Sequence, residues 1–220
     1  MQFLYDENAS SQKLLIKDEN YRYLVKVRRL KSKSSLNFRN FKDNFIYHYE
    51  IESIGKKEVI LTLKDKTIEK KSALSKLHIL WCIIDIKTIE KTLPMLNQIG
   101  VSKISFIYCQ RSQKNFKIDM SKLKKILINS CQQCGRSNLM DIEILESFDE
   151  MLKLYNNFAV LDFGGEHSFS NISSILIGCE GGFSEDERKL LKNNQKIGFK
   201  TNLIQKSETA TLIIASKLLI

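Results

Sequence analysis

The sequence predicts an α/β fold in which a small β-barrel is followed by a largely parallel sheet with helices on its faces. Three observations carry this. Residues 1 to about 72 hold several brief, partly alternating apolar segments at close intervals, bounded by polar turn residues. From Leu77 onward, continuous apolar runs alternate with helical periodicity, the rhythm of a covered parallel sheet. The chain has 220 residues, 43% of them hydrophobic, which suffices for one large domain or two modest ones with proper cores.

In the first part, residues 14–16, 35–38, 45–51 and 59–63 read as strands, and the Phe45-Ile46-Tyr47-His48-Tyr49-Glu50-Ile51 run is rich in β-formers. Residues 20–30 predict a short helix between strands. The polar run Ile68-Glu69-Lys70-Lys71-Ser72 predicts a linker, so the expected domains are 1–72 and 73–220. In the second part, residues 79–84 form an apolar run, as in a strand covered on both faces. Ile86, Ile89, Leu93, Leu96 and Ile99 then recur at helical spacing and stop at Gly100. Pro94 within that helix predicts a kink or a restart. Strand 104–108, helix 121–134 and strand 142–145 follow. Ser147 with Glu150, and Ser184 with Glu187, are capping boxes that open two more helices. Strands 158–161 and 174–177, a possible strand at 202–204 and an apolar helix after Ser207 complete the series.

Composition narrows the function classes. Lysine and arginine number 35 against 25 aspartates and glutamates, a formal net charge of +10, so a polyanion is a plausible partner. A single proline and nine glycines exclude collagen-like and proline-rich architectures. No apolar run approaches membrane-helix length and the N-terminus lacks a secretory pattern, so a soluble, cytoplasmic protein is expected. Five cysteines, an odd number, suggest no disulfide framework. Cys131 and Cys134 form one C-x-x-C, but His48, His78 and His167 are scattered, and a tetrahedral zinc site needs more ligands close by. No metal is expected.

Ile175-Leu176-Ile177-Gly178-Cys179-Glu180-Gly181-Gly182-Phe183-Ser184 is the most informative stretch. A buried strand runs into three glycines and then a capped helix. Glycines let a backbone approach a ligand closely, and ligands bind beyond the C-terminal ends of strands in open α/β sheets. No G-K-[ST] and no G-x-G-x-x-G is present, and Glu180 opposes a phosphate. A tight turn that needs glycine for geometry alone is the competing explanation. At Ser207-Glu208-Thr209-Ala210, hydroxyls and a carboxylate stand at a helix start, where they serve as caps or as ligands. Gly135 ends a helix and turns Arg136 outward, toward a phosphate or a partner subunit; Arg111, just beyond a strand, is a similar candidate. Between Arg22 and Lys42 lie eight basic residues, among them Lys26, Arg28, Arg29 and Lys31, with no acidic residue. Tyr21, Tyr23, Phe38 and Phe41 are interleaved. Basic groups neutralise phosphates and aromatics stack on unpaired bases; inward-facing aromatics beneath a solvated basic face are the alternative.

Taken together, these motifs resemble the RsmE family, methyltransferases of N3 of a uridine in the 16S ribosomal RNA of the small subunit. Ile177 to Ser184 resembles the family's I-G-P-E-G-G-F-S signature, and Leu203 to Ala210 its I-L-R-x-E-T-A segment. Gln132-Gln133-Cys134-Gly135-Arg136 resembles E-Q-x-x-R, Tyr23 to Leu30 resembles H-x-x-x-V-L-R, and Gln98-Ile99-Gly100-Val101 resembles E-L-G-V. The matches run in family order over nearly the whole chain. Departures are Cys179 for proline, Lys206 for arginine, Tyr23 for histidine, and Gln98, Gln110 and Gln132 for carboxylates.

The resemblance implies an N-terminal PUA-like β-barrel that binds RNA and a C-terminal SPOUT-type Rossmann-like domain with a trefoil knot. It implies a homodimer that takes S-adenosylmethionine in the knot loops. The cofactor-binding residues it implies are Leu161, Gly178, Glu180, Gly181, Gly182, Leu203, Ile204, Lys206, Glu208, Thr209 and Ala210. Arg136 or Arg111, reaching the site from the partner subunit, is expected to stabilise the uracil anion, and Arg22, Lys26, Arg28, Arg29 and Lys31 are expected to meet RNA. Two other classes stay open at this point: a non-catalytic ribosome-assembly factor with the same fold, and a nucleotide-binding α/β enzyme that does not touch RNA.

Overall fold

The computed structural model describes residues 2–112 and 117–220. The chain divides into two compact units, Met1–Ser72 with Ile128–Leu139, and Ala73–Leu127 with Met140–Ile220.

The first unit is built on one five-stranded sheet. Its strands are β1 (Leu4–Tyr5), β2 (Lys13–Lys17), β3 (Ser35–Arg39), β4 (Phe45–Ile54) and β5 (Glu58–Ile68), in the order β1-β3-β4-β5-β2. All neighbours are antiparallel except β1 with β3. β1 and β2 remain edges, so the sheet is a half-barrel rather than a closed one. Alternation explains the strands: in β2, Leu14 and Ile16 are buried while Lys13, Leu15 and Lys17 are exposed. Leu14, Ile16, Leu24, Phe38, Tyr49, Ile51, Val59 and Leu61 make the core. β1 has only two residues, too short for a pattern to reveal.

The helix expected at residues 20–30 takes another form. A single α-turn, α1 (Asp18–Tyr21), passes into a π-helical segment, Arg22–Val27. The Arg28 N–H donates to the Tyr23 carbonyl at 2.9 Å, five residues back. The expected linker is also more ordered than its polarity suggests. Ile68 belongs to β5, and Glu69 pairs at 3.0 Å with the fully buried Arg39 guanidinium.

The second unit is a six-stranded, all-parallel sheet. Its strands are β6 (His78–Cys82), β7 (Lys103–Ile107), β8 (Asp141–Leu145), β9 (Ala159–Glu166), β10 (Ser174–Ile177) and β11 (Lys196–Ile197). The order is β11-β9-β10-β6-β7-β8. Its helices are α2 (Ile86–Ile99), α3 (Met120–Cys134, whose last turns belong to the first unit), α4 (Phe148–Leu154), α5 (Glu185–Leu190) and α6 (Ser207–Leu219). The central strand β6 buries Ile79 through Cys82 completely, as its apolar run requires. The chain lays down β6, β7 and β8 outward in one direction, then crosses to the other side of β6 for β9 and inserts β10 between β9 and β6. The C-terminal ends of β6 and β10 therefore flank a topological switch point.

Local chemistry accounts for most helix ends. Asp85 caps α2 by accepting from the Thr88 N–H at 2.9 Å, and Gly100 ends it at φ +109°. α2 runs through Pro94 without a restart. Ser184 and Glu187 form the full reciprocal box on α5. At α4 the box is displaced: Ser147 accepts from the Glu150 N–H, but the Glu150 carboxylate accepts from the Glu146 N–H. Residues 202–204 form no strand; β11 lies just upstream instead. Cys82 and Cys109 are joined in a disulfide between the ends of β6 and β7, contrary to the expectation from the odd cysteine count. Parallel neighbours bring together two residues that spacing alone does not relate. Cys131 is buried and Cys134 exposed.

β9 and β11 hold an unusual feature. Adjacent residues Lys196 and Ile197 of β11 pair with Val160 and Glu166 of β9. Residues 161–165 therefore have no partner in β11 and form one wide bulge on that side, while Leu161 still pairs with Ile177 of β10. At its end Gly165 and Gly198 meet backbone to backbone: a Cβ on Gly165 would lie 2.6 Å from the Ile197 carbonyl oxygen, and one on Gly198 would lie 3.0 Å from the Asp162 oxygen.

At the N-terminal end of this sheet, His78 Nε2 meets the buried Ser105 Oγ at 2.6 Å, and Ser105 donates to Glu143. A serine hydroxyl has one hydrogen, so His78 is the Nε2–H tautomer and donates. Tyr155 donates to Glu143 at 2.6 Å and Lys103 lies 3.1 Å from the same oxygen. Burial and then the Lys103 charge push His78 down to about 4, against a partial pull upward from Glu143. Its stabilising contribution is whole above the unfolded value and is lost as pH falls from about 6.5 to about 4, reduced by solvent screening because the ring is only partly buried. Urea unfolding at pH 7 and pH 5 checks this: the parent should lose more stability than His78→Asn, which has no imidazole to protonate. Equal losses contradict the assignment.

Candidate active site

The bulge of β9 and the loops after β10 and β11 enclose a cavity of about 350 Å³. One wall is Leu161, Asp162, Phe163 and Gly164 from the bulge. A second is Gly178 to Phe183, and a third is Thr201, Leu203, Ile204 and Gln205, closed by Ser207 and Ala210. Its volume falls within the about 300–1,000 Å³ usual for small-molecule sites. Of the cofactor-site residues expected from sequence, Leu161, Gly178, Glu180, Gly181, Gly182, Leu203, Ile204 and Ala210 line it. Lys206, Glu208 and Thr209 do not.

The glycine loop closes as a turn. The Gly182 N–H donates to the Cys179 carbonyl at 2.9 Å, and Gly182 takes φ +64°, where glycine carries no side-chain strain. A Cβ on Gly178 would sit 3.3 Å from the Gly182 Cα, so these two backbones pack directly on each other. Cys179 occupies the position where proline is usual in the resembling family. Its buried thiol contacts the Gly182 carbonyl at 3.7 Å, and burial raises its pKa. It is therefore a turn residue and not a thiolate nucleophile.

Two side chains hold the loop from outside. Arg111 donates from Nη1 to the Gly181 carbonyl at 2.6 Å and is itself exposed. Glu187, buried on α5, accepts from the Ser184 N–H at 2.8 Å and from the Gln110 N–H at 2.8 Å. The capping box marks Glu187 only as a cap; its second bond, to a residue 77 positions away, has no signal in the spacing. Asp162 and Arg188 form an ion pair in the cavity wall.

Arg136 departs from expectation in its setting. It is 7% exposed, not turned outward. Gly135 does end α3, at φ +88°, with its N–H on the Cys131 carbonyl at 2.8 Å.

A larger cavity of about 670 Å³ opens beyond β7 and β8. Among the described residues, Glu146, Asp149, Asp186 and Glu187 line it with one lysine, Lys117. A field of that sign suits neither a phosphate nor RNA. Among the described residues no cluster of three or more His, Cys, Asp or Glu is placed to hold a metal ion, and no helix is long and apolar enough to cross a membrane.

In the first unit, Arg22, Lys26, Arg28, Arg29 and Lys31 are all exposed, and among the described residues none has an ion-pair partner. Arg29 and Lys33 sit at φ +52° and +68°, unusual for residues with a side chain. The interleaved aromatics do not share that exposure. Tyr21 and Phe38 are buried, with the Tyr21 hydroxyl on the Gly55 carbonyl at 3.0 Å, and Tyr23 packs against the core. The basic face offers charge to phosphates, while these rings are committed to the fold.

Known proteins resemble the chain over both units. A family model described as an RNA methyltransferase domain matches residues 70–219, and one described as an RNA methyltransferase PUA domain matches residues 16–64. "Ribosomal RNA small subunit methyltransferase E" of Helicobacter pylori is 44% identical over 98% of each chain. The protein of the same name in Rickettsia conorii is 28% identical over 91% of this chain and 87% of its own. Among solved structures, a Legionella pneumophila methyltransferase in complex with S-adenosylmethionine superposes with a TM-score of 0.84 at 22% identity, covering 99% of this chain and 96% of that one. Ribosomal RNA small subunit methyltransferase E of Neisseria gonorrhoeae, bound to S-adenosylmethionine, does so with a TM-score of 0.82 at 16% identity and the same coverage.

Proposed function

The chain belongs to the ribosomal RNA small subunit methyltransferase E family, and from that premise we propose that it methylates N3 of a uridine in small-subunit ribosomal RNA with S-adenosylmethionine as donor. The observation that carries the proposal is the glycine-lined cavity beyond β10. Its fit to the donor rests on three features. Gly164, Gly178, Gly181 and Gly182 leave main-chain atoms open to a ligand, apolar Leu161, Leu203 and Ile204 suit an adenosine, and the cation in the described wall, Arg188, is neutralised by Asp162. We assign Leu161, Gly178, Glu180, Gly181, Gly182, Leu203, Ile204 and Ala210 to donor binding, with Lys206, Glu208 and Thr209 supporting the start of α6.

When bound, the donor supplies a methyl group on a positively charged sulfur. The chain's part is to hold the acceptor in line and to exclude water. Uridine N3 carries a proton and becomes nucleophilic only when that proton leaves, so the site needs a base or a cation that favours the N3 anion. We assign that cation to Arg111 or Arg136. Arg111 is the better placed of the two, since it is exposed beside Gly181 while Arg136 is buried.

We further propose that the protein works as a homodimer. Phe163, Leu203 and Ile204, all at the cavity rim, are 73%, 75% and 82% exposed, and apolar side chains grouped at a site favour cover by another surface. Arg22, Lys26, Arg28, Arg29 and Lys31 are proposed to meet RNA phosphates. Arg28→Glu with Arg29→Glu should weaken RNA binding about tenfold or more at moderate salt and leave donor affinity unchanged, as filter binding and calorimetry measure. Equal RNA affinity for parent and variant contradicts that role.

The function is tested with methyl-labelled S-adenosylmethionine and small subunits from cells lacking the protein. Label recovered as N3-methyluridine is expected. Label in another nucleoside refutes the N3 assignment, and donor binding without transfer refutes small-subunit RNA as the substrate under those conditions.

A further inference from the structure

We infer that Ser207 is a positioning residue for the glycine loop, held in its role by the indole of Trp81. The inference rests on the donor-site reading above. Trp81 is the chain's one tryptophan and is fully buried in β6, where it is the register partner of Ile177 in β10. Its Nε1–H donates to Ser207 Oγ at 2.9 Å. Ser207 Oγ in turn lies 2.6 Å from the Gly178 carbonyl oxygen. A hydroxyl has one hydrogen and a carbonyl can only accept, so the direction is fixed: indole to hydroxyl to Gly178.

Ser207 is the first residue of α6, with Lys206 at the N-cap position, yet its hydroxyl does not cap the helix. It is 6% exposed and lines the cavity. The Thr211 hydroxyl fastens the Ser207 carbonyl at 2.7 Å, so the serine backbone is anchored as well. The object of this arrangement is the residue with the greatest backbone freedom at the strand exit. Gly178 has no Cβ to restrict it, and it packs on Gly182 across the turn. Holding its carbonyl fixes the plane of the Gly178–Cys179 peptide, because that unit is rigid and trans. The loop is thus set in its binding shape before a ligand arrives, which lowers the ordering cost of binding.

The test compares the full-length parent with Ser207→Ala and Ser207→Thr by calorimetry with S-adenosylmethionine and by steady-state methyl transfer. Ser207→Ala should weaken binding and raise KM for the donor by about tenfold with kcat near the parent's, and Ser207→Thr, which keeps the hydroxyl, should restore both. A merely structural role would lower Tm without this KM-against-kcat split and without rescue. A second measurement needs no variant: because the indole is bonded into the loop's support, titrating the parent with the donor should shift tryptophan emission with the calorimetric Kd. If the parent binds the donor but Ser207→Ala binds within about twofold of it, or if emission does not move, the inference is overturned and the cavity assignment survives. If the parent itself binds no donor, the cavity assignment falls and takes the inference with it.

Discussion

Gly165→Ala is expected to leave little folded protein. A methyl group there would overlap the main chain of Ile197, lying 2.6 Å from its oxygen and 2.7 Å from its Cα. Backbone cannot swing aside as the end of a side chain can. The two segments also form ladder contacts on both sides of the point of approach, at Val160–Lys196 and Glu166–Ile197. Overpacking of this kind costs about 3 kcal/mol or more, a large part of the stability of a domain. Gly164→Ala is the control. Gly164 sits at φ +69° with nothing within 4 Å of its absent Cβ, so alanine there adds only left-handed strain of about 1–2 kcal/mol. Urea unfolding of the two variants checks the contrast. A Gly165→Ala protein as stable as Gly164→Ala contradicts the close approach.

Gly182→Val should abolish donor binding while the chain still folds. The absent Cβ of Gly182 faces open space, with only the Arg188 guanidinium at 3.9 Å, so the protein itself has room for a side chain. That room is the cavity. Valine would fill it, and its branched Cβ is poorly tolerated at φ +64°. We expect at least about a 100-fold loss of affinity for S-adenosylmethionine, some 2.7 kcal/mol or more, with the native circular-dichroism spectrum retained. Affinity within threefold of the parent would place the donor elsewhere.

How much of this was legible in the sequence depends on whether a feature is local. Apolar runs and caps are local, so the strands at 79–84 and 174–177, the stop of α2 at Gly100 and the Ser184 box are visible as patterns. The glycine loop is legible for the same reason: strand, glycines and cap are contiguous. Features made by distant segments are not. Nothing near Gly165 announces Ile197 as its neighbour, and the Gly164-Gly165 doublet after a strand is the sole hint. The Cys82–Cys109 bridge depends on two strands being parallel neighbours. Ser207 reads as an ordinary helix start until Trp81 and Gly178 are placed beside it. Residues 202–204 mislead because Leu203 and Ile204 are apolar yet exposed, which is the composition of an interface segment as much as of a strand. The basic stretch from Arg22 shows its charge plainly, but the inward turn of Tyr21 follows from the single turn α1 ahead of the π-helical segment, which periodicity does not forecast, and that of Phe38 from β3.

The central claim is that the cavity between the bulge of β9 and the glycine loop holds the methyl donor. A crystal structure of the full chain grown with S-adenosylhomocysteine tests it most directly. The account predicts density for the nucleoside between Gly178–Gly182 and Leu203–Gln205, against Leu161. Density in the acidic cavity beyond β7 and β8 instead, or none beside the glycine loop at saturating ligand, would contradict it.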